Sequence, residues 1–462
     1  MLKIIYKGLL FSCLLALISC GSEKNSEDLI QAINSRQTET ALHLIEEVAD
    51  LNAPDSLGLA PIHWAARRAL PLLTKALIQK GCDINITDTQ GYTPLNYATR
   101  ANNAEVINLL LKNGAVVYKK GLSNLSDGPF VDWTEKGLYA YYLKHDSLSS
   151  KSFLSGKLID RATPSFKGWD GDTTTYSIVD IKTPEWQTKT REPIFVLGDI
   201  HGQYDRMIRN LQTHGVINKE LKWRWGKGHL VFVGDIFDRG HKVTEALWLI
   251  YRLEQEAEKA GGKVHLSFGN HELMVLNKDN RYIAPEYKNL CNNLGLDYDA
   301  LFHPNSVLGE WLRSKNSMTK INDVLFVHGG ISQKQIDSGM STEEVNALMR
   351  QYLISGSNPE NQDKLNQILK SFGPFWYRGY FMESSRYKMI TEQELTGVLK
   401  SLDVTRIVVG HTENEILSAS FGGRVIDVNI PLADDSVPNQ ALLIEDGKFY
   451  HLTENGEKNV LK

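Results

Sequence analysis

The chain has 462 residues, 42% of them hydrophobic and 23% charged, and a formal net charge of −4. That length accommodates two or three domains, and the composition is that of folded globular protein rather than disordered or fibrous chain. With an acidic excess and no basic block, it argues against nucleic acid as a main partner.

Residues 1–20 read as a targeting segment. Lys3 and Lys7 give a positive start, and Leu9 to Ile18 form an apolar run too short to span a membrane comfortably. Leu17-Ile18-Ser19-Cys20 resembles a bacterial lipobox. This implies a signal peptide over 1–19, lipidation of Cys20, and a polar tether over 20–25. The expectation is an exported protein reaching a bacterial membrane through its lipid anchor only. Gly21 in place of an aspartate favours the outer membrane, facing periplasm or surface. Beyond Cys20 only Cys82 and Cys291 remain, read as buried free thiols, with their pairing left open.

Residues 26–117 carry an internal repeat. Gly58-Leu-Ala-Pro61-Ile-His63-Trp-Ala65 recurs as Gly91-Tyr-Thr-Pro94-Leu-Asn96-Tyr-Ala98, an offset of 33. Ala76 to Gly81 recurs at the same offset as Leu109 to Gly114. The pattern resembles the ankyrin repeat, a turn followed by two short antiparallel helices, with a degenerate first copy near Glu27 to Asn52 as a cap. So short an array is marginal alone, which predicts packing on the next domain. It serves either as a partner-binding surface or as a purely structural cap.

From Gly121 to Arg191 the pattern changes to strands. Gly128–Trp133, a turn through Thr134 to Gly137, and Leu138–Leu143 predict a β-hairpin. A second strand pair is expected near Lys157–Asp160 and Thr174–Ile181. Both belong to a larger domain over 118–462. Within it, apolar runs at 194–197, 229–233, 264–267, 324–327, 406–409 and 424–428 alternate with helical patterns such as Val243–Lys259, Ser341–Leu353 and Glu392–Ser401. This predicts an α/β sandwich. Ala441–Ile444, Asp446-Gly447 and Phe449–Leu452 predict a closing hairpin.

Five clusters follow predicted strands: Gly198-Asp199-Ile-His201-Gly202, Gly234-Asp235-Ile-Phe-Asp238-Arg239-Gly240, Gly269-Asn270-His271-Glu272, Val327-His328-Gly329-Gly330 and Gly410-His411-Thr412. Strand-end loops hold ligands rigidly while opening to solvent. The candidate donors Asp199, His201, Asp235, Asn270, His328 and His411 offer oxygen and nitrogen without thiolate. That mixture suits Mn, Fe or Zn. Two such ions need a bridging carboxylate, for which Asp235 is the natural candidate, and together they can clamp an in-line phosphoryl transfer.

The five ordered clusters resemble the calcineurin-like metallophosphoesterases, in the phosphoprotein-phosphatase branch. Within that branch the chain is most similar to the Shewanella-like phosphatases, supported by Phe375-Trp-Tyr-Arg378-Gly379. The resemblance implies a sandwich of two mixed β-sheets flanked by helices, preceded by the small all-α ankyrin domain. It implies one metal on Asp199, His201 and Asp235, and a second on Asp235, Asn270, His328 and His411. It implies His271 as general acid, oriented by Asp238, and Arg239 binding phosphoryl oxygens, with Arg378 a candidate second clamp. Glu272 and Asp427 take supporting places. The implied activity is direct in-line hydrolysis of a phosphomonoester by metal-activated hydroxide, on a phosphorylated protein or a small phosphomonoester. Alternatives are a dinucleoside polyphosphate hydrolase, and a non-catalytic ankyrin adaptor on a phosphatase fold.

Overall fold

A computed structural model describes residues 26–89, 92–101, 103–115, 126–134, 137–144, 147–154, 165–167, 175–432 and 436–461. The signal segment 1–19, the tether 20–25 with Cys20, Gly91 of the repeat and the strand expected at 157–160 lie outside these residues. The chain divides into two compact units, Met1–Tyr118 and Lys119–Lys462. Among the described residues no helix is long and apolar enough to cross a membrane.

The first unit is three helix pairs: α1 (Ser26–Asn34) with α2 (Thr38–Glu47), α3 (Pro61–Arg67) with α4 (Pro71–Gln79), and α5 (Pro94–Arg100) with α6 (Ala104–Lys112). Proline opens α3, α4 and α5, where a missing N–H costs nothing. The 33-residue offset is also one of contacts. Trp64 Nε1 donates to Asp55 Oδ2 at 2.8 Å, and Tyr97 Oη donates to Asp88 Oδ2 at 2.5 Å. The Ala60 N–H donates to His63 Nδ1, and the Thr93 N–H to Asn96 Oδ1. His63 spans the repeats by reaching the Tyr92 carbonyl with Nε2 at 3.1 Å. Each pair buries one apolar stripe against its neighbour, including Leu29, Ile33, Leu73, Leu77, Leu95 and Leu110.

The second unit begins with an antiparallel sheet, β1 (Ser126–Thr134), β2 (Gly137–Lys144) and β3 (Ser147–Leu154), in that order. The third strand was not expected: its serine-rich sequence carries no apolar alternation, and pairing with β2 alone makes it a strand. Of the strand expected at 174–181 the structure shows β5 (Thr175–Ser177), which pairs with β4 (Ser165–Lys167), a segment the sequence did not single out. Just past β5, the Val179 N–H donates to the Tyr251 hydroxyl at 3.1 Å.

Two six-stranded mixed sheets then form the sandwich. Their strands are β6 (Gln187–Thr188), β7 (Ile194–Leu197), β8 (His229–Phe232), β9 (Lys263–Leu266), β10 (Met318–Ile321), β11 (Val324–Val327), β12 (Arg406–Val409), β13 (Ser418–Ser420), β14 (Val425–Asp427), β15 (Gln440–Glu445), β16 (Lys448–Thr453) and β17 (Lys458–Val460). One sheet has the order β13-β14-β12-β11-β10-β6 and the other β17-β16-β15-β7-β8-β9. Alternate residues Ile194 and Val196 of β7 meet Val324 and Phe326 of β11, Val408 of β12 and Leu442 of β15 in the core between the sheets. Phe195 faces the other way, onto His214 and Trp225. Both faces are covered, which is why β7, β8 and β11 read as unbroken apolar runs. Parallel pairing of β7, β8 and β9, and of β11, β12 and β14, points their C-terminal ends to one rim. The two remaining cysteines are free: Cys291 is buried, Cys82 half-buried, and burial pushes both thiols up to about 12.

Candidate functional site

The loops at that rim lock one another through the backbone. After β7, the N–H groups of Ile200 and His201 both donate to the Asp235 carbonyl, at 2.9 and 2.8 Å, and the Gly202 N–H donates to that of Ile236. After β9 comes α9 (Asn270–Leu276). Its Glu272 is fully buried and accepts four backbone N–H groups: Asp235 and Gly269 on Oε2, Ile236 and Phe237 on Oε1. One carboxylate thus caps its own helix and fixes the neighbouring loop. The cost of this tight packing is visible in φ. His201, Asp235, Asp238, Arg239 and His411 all hold positive φ, between 46° and 70°. Non-glycine residues adopt that region rarely, and strained backbone concentrates at functional sites.

The structure brings all six sequence-derived donors into one cluster. Asp235 Oδ2 lies 3.7 Å from His201 Nε2 and 3.2 Å from His328 Nε2. His328 Nε2 is also 2.8 Å from Asn270 Oδ1 and 3.2 Å from His411 Nδ1. Donors about 2.1 Å from a shared cation sit roughly 3.0–3.4 Å from each other, close to this spacing. Asp199 Oδ2 is 3.9 Å from His201 Nε2, and both its oxygens accept the His411 N–H. A Cβ on Gly410 would lie 2.5 Å from Asp199 Oδ1, and one on Gly269 only 2.1 Å from Asp235 Oδ1, so any side chain there would displace a donor.

The donor set fits a cation on independent grounds. His201 gives its Nδ1–H to the Phe237 carbonyl at 2.7 Å, and its buried Nε2 has no hydrogen-bond partner. Nε2 of His411 is likewise buried without one. Burial pushes the Asp199 carboxyl up to about 7 and the His201 ring down to about 3. Burial also opposes the charged form of Asp235, but His328 and His271 outweigh it and hold that carboxyl well below its ordinary range. Desolvated carboxylates beside imidazole lone pairs are completed by positive charge. Two groups within reach of one ion emerge, His201 with Asp235 and His271, and Asp235 with His328 and His411. His271 therefore also stands within ligating distance.

His271 donates from Nδ1 to Asp238 Oδ2 at 2.6 Å, which turns Nε2 toward the cluster, 3.8 Å from Asp235 Oδ2. Burial alone would lower its pKa, but Asp235 and Asp238 outweigh burial and raise it. Arg239 is 40% exposed and ion-paired to Glu413. Arg378 is partly buried, makes no ion pair among the described residues, and projects its charge onto His411 and Asp427. Asp427 accepts from the Asn429 N–H and the Asn414 side chain, holding the turn after β14.

Two residues beside the site escaped the sequence reading. Glu413 lies two positions after His411, yet nothing local signals its pairing with Arg239. Tyr282 is 50% exposed, with its ring 5.4 Å from that of His271. Its backbone carbonyl accepts from the Arg239 N–H at 2.9 Å, which ties it there.

Comparison with known proteins gives a consistent answer. The profile for calcineurin-like phosphoesterases matches residues 192–413, and that for ankyrin repeats in three copies matches 29–120. An uncharacterised protein of Schizosaccharomyces pombe is 30% identical over 269 residues, covering 54% of this chain and 76% of the relative. Shewanella-like protein phosphatase 1 of Plasmodium berghei is 27% identical over 47% of this chain and 60% of its own. Among solved structures, a cold-active protein-tyrosine phosphatase of a psychrophilic Shewanella is 34% identical with a TM-score of 0.66, covering 73% of this chain and all of that one.

Proposed function

The chain belongs to the calcineurin-like phosphoesterase family, and on that premise we propose that it is a phosphoprotein phosphatase with a dinuclear metal centre, favouring phosphotyrosine. The observation that carries this reading is the position of Asp235 Oδ2, within 3.2 to 3.8 Å of His328, His201 and His271. A carboxylate oxygen so placed would serve both halves of a two-ion site. Asp199, His201 and Asp235 would hold one ion, and Asp235, Asn270, His328 and His411 the other, drawn from Mn, Fe or Zn. When bound, the pair supplies Lewis-acid activation of water and neutralises phosphoryl charge.

The chain's own groups do the rest. Protonated His271 offers Nε2–H to the departing oxygen, and Asp238 fixes which nitrogen faces it. Arg239, released from Glu413, and Arg378 bind the phosphoryl oxygens as planar donors. The exposed Tyr282 ring beside His271 gives an aromatic leaving group a flat apolar surface. The name of the Shewanella relative, a protein-tyrosine phosphatase, supports the same preference. We further propose that residues 1–20 direct export and that Cys20 carries the lipid anchor. The Lys3 and Lys7 start and the Leu17 to Cys20 box support this, and lipid labelling that survives Cys20→Ala would refute it.

The test is a rate comparison on phosphotyrosyl peptide, phosphoseryl peptide and diadenosine tetraphosphate, after reconstitution with Mn, Fe or Zn. Phosphotyrosyl peptide is expected to be fastest, and Asp199→Asn and His271→Asn to abolish turnover. A faster rate on diadenosine tetraphosphate would point to polyphosphate hydrolysis. Fewer than one transition metal per purified chain would point to a non-catalytic adaptor.

A further inference from the structure

A cavity of about 550 Å³, which the chemistry above leaves unused, is built from the segments adjoining His328 and Arg378 in the chain. After His328, the Gly329 N–H donates to the Pro374 carbonyl at 2.7 Å. The Ser332 hydroxyl donates to the Phe372 carbonyl at 2.7 Å. The Tyr380 hydroxyl bonds both the N–H and the carbonyl of Ile331 at 2.9 Å. The Ile390 N–H donates to the Gly379 carbonyl at 2.8 Å, tying the outer wall to the residue after Arg378. Tyr377, which precedes Arg378, lines the cavity.

The lining is basic. Lys334, Lys370, Arg386 and Lys388 surround the cavity, against a single acid, Glu394. All four cations are exposed, and none makes an ion pair among the described residues. Lys334 Nζ lies only over the Phe372 ring, 3.9 Å from its centroid. Glu394 is occupied in capping its own helix, accepting the Thr391 N–H and hydroxyl at 2.8 and 2.9 Å. A chain whose net charge is −4 thus gathers unpaired positive charge in one concavity. Scattered surface lysines would be ordinary solvated charge, whereas concave walls focus the field on what enters. Phe372, with Tyr377 and Tyr387 at 5.5 Å between ring centroids, adds apolar walls. The volume is within the usual range of ligand pockets.

We propose that this pocket is a substrate subsite for acidic side chains flanking the phosphorylated residue of a polypeptide. The proposal rests on the phosphoprotein reading above and adds sequence selectivity to it. The test uses Arg386→Glu with Lys388→Glu, exposed positions outside the catalytic groups. Hydrolysis of p-nitrophenyl phosphate is expected to stay at wild-type rate in the double variant. KM for a phosphopeptide flanked by glutamates is expected to rise about tenfold at constant kcat, the size that follows from turning one or two exposed ion pairs into repulsion. KM for the same peptide with glutamines is expected to be unchanged. Equal KM for the two peptides on the wild type, or no change in the double variant, overturns the subsite while leaving a phosphatase. Fluorescence anisotropy of the unphosphorylated glutamate peptide needs no turnover. Binding that weakens with salt and with charge reversal supports the subsite even in a protein that hydrolyses nothing, which would sink the phosphatase reading instead. Binding indifferent to both removes the subsite.

Discussion

Glu272→Gln isolates the contact on which the site's shape depends. In the wild type Oε2 accepts from Asp235 and Gly269 at 2.9 and 2.7 Å, and Oε1 from Ile236 and Phe237 at 2.6 and 3.2 Å. Glutamine keeps the volume but replaces one oxygen by an NH2 group, so two buried N–H groups lose their acceptor and face another donor. Each such donor costs about 1–3 kcal/mol, so the substitution costs about 2–6 kcal/mol. A fold is stable by only about 5–15 kcal/mol, so a loss of this size is conspicuous. Hydrogen exchange read by mass spectrometry over peptides spanning 233–240 and 267–272 measures it directly. One tenfold change corresponds to about 1.4 kcal/mol, so exchange in both peptides should accelerate between about 30-fold and 20,000-fold. The loop that loosens carries Asp235, so metal retained after dialysis should fall as well. Exchange and metal content both at wild-type level would refute the pinning role of this carboxylate.

Asp238→Asn should leave bound metal in place yet lower kcat/KM more for phenyl phosphate than for p-nitrophenyl phosphate, since the poorer leaving group depends more on proton donation. Asp238 helps hold the His271 pKa above its ordinary value, so the acid stays protonated to higher pH; removing that carboxylate should move the alkaline limb of the pH–rate profile downward. Tyr282→Ala should raise KM for phosphotyrosyl peptide by about fivefold to tenfold, the worth of one aromatic contact, and leave phosphoseryl peptide unchanged. Equal effects on both peptides would remove the aromatic platform. His229 and His265 form a buried stacked pair, hydrogen-bonded at 2.9 Å, and burial lowers their pKa values to about 4 and about 3. Both rings are neutral when folded, whereas the unfolded chain takes up protons near pH 6.5. Stability should therefore fall as pH drops from there toward 4, by up to about 1.4 kcal/mol per unit for each ring. Denaturant midpoints measured across that range should show this contribution, and His265→Gln should remove one ring's share of the slope, up to about 1.4 kcal/mol per pH unit.

Much of this protein is legible in the order of its residues alone. The 33-residue offset between His63 and Asn96 repeats both a helix pair and its hydrogen bonds, because a repeat contacts only its neighbours. The apolar runs of β7, β8 and β11 announce strands covered on both faces. The glycine-flanked Asp, Asn and His residues that follow announce donors at strand ends, since turn geometry and ligand type are local properties. Contacts between distant segments follow a different rule. β7 lies between β8 and β15, which are about two hundred residues apart in sequence, and no local period encodes that order. That order, with the packing of one sheet on the other, brings Glu413 to Arg239 across 174 residues, seats Tyr282 beside His271 and closes a basic pocket behind Arg378. The serine-rich β3 shows the same limit, since a strand without an apolar pattern exists only through its partner. Short-range chemistry therefore chose the groups. Which of them meet was decided by the long-range burial that fixes how the strands are ordered and how the sheets pack.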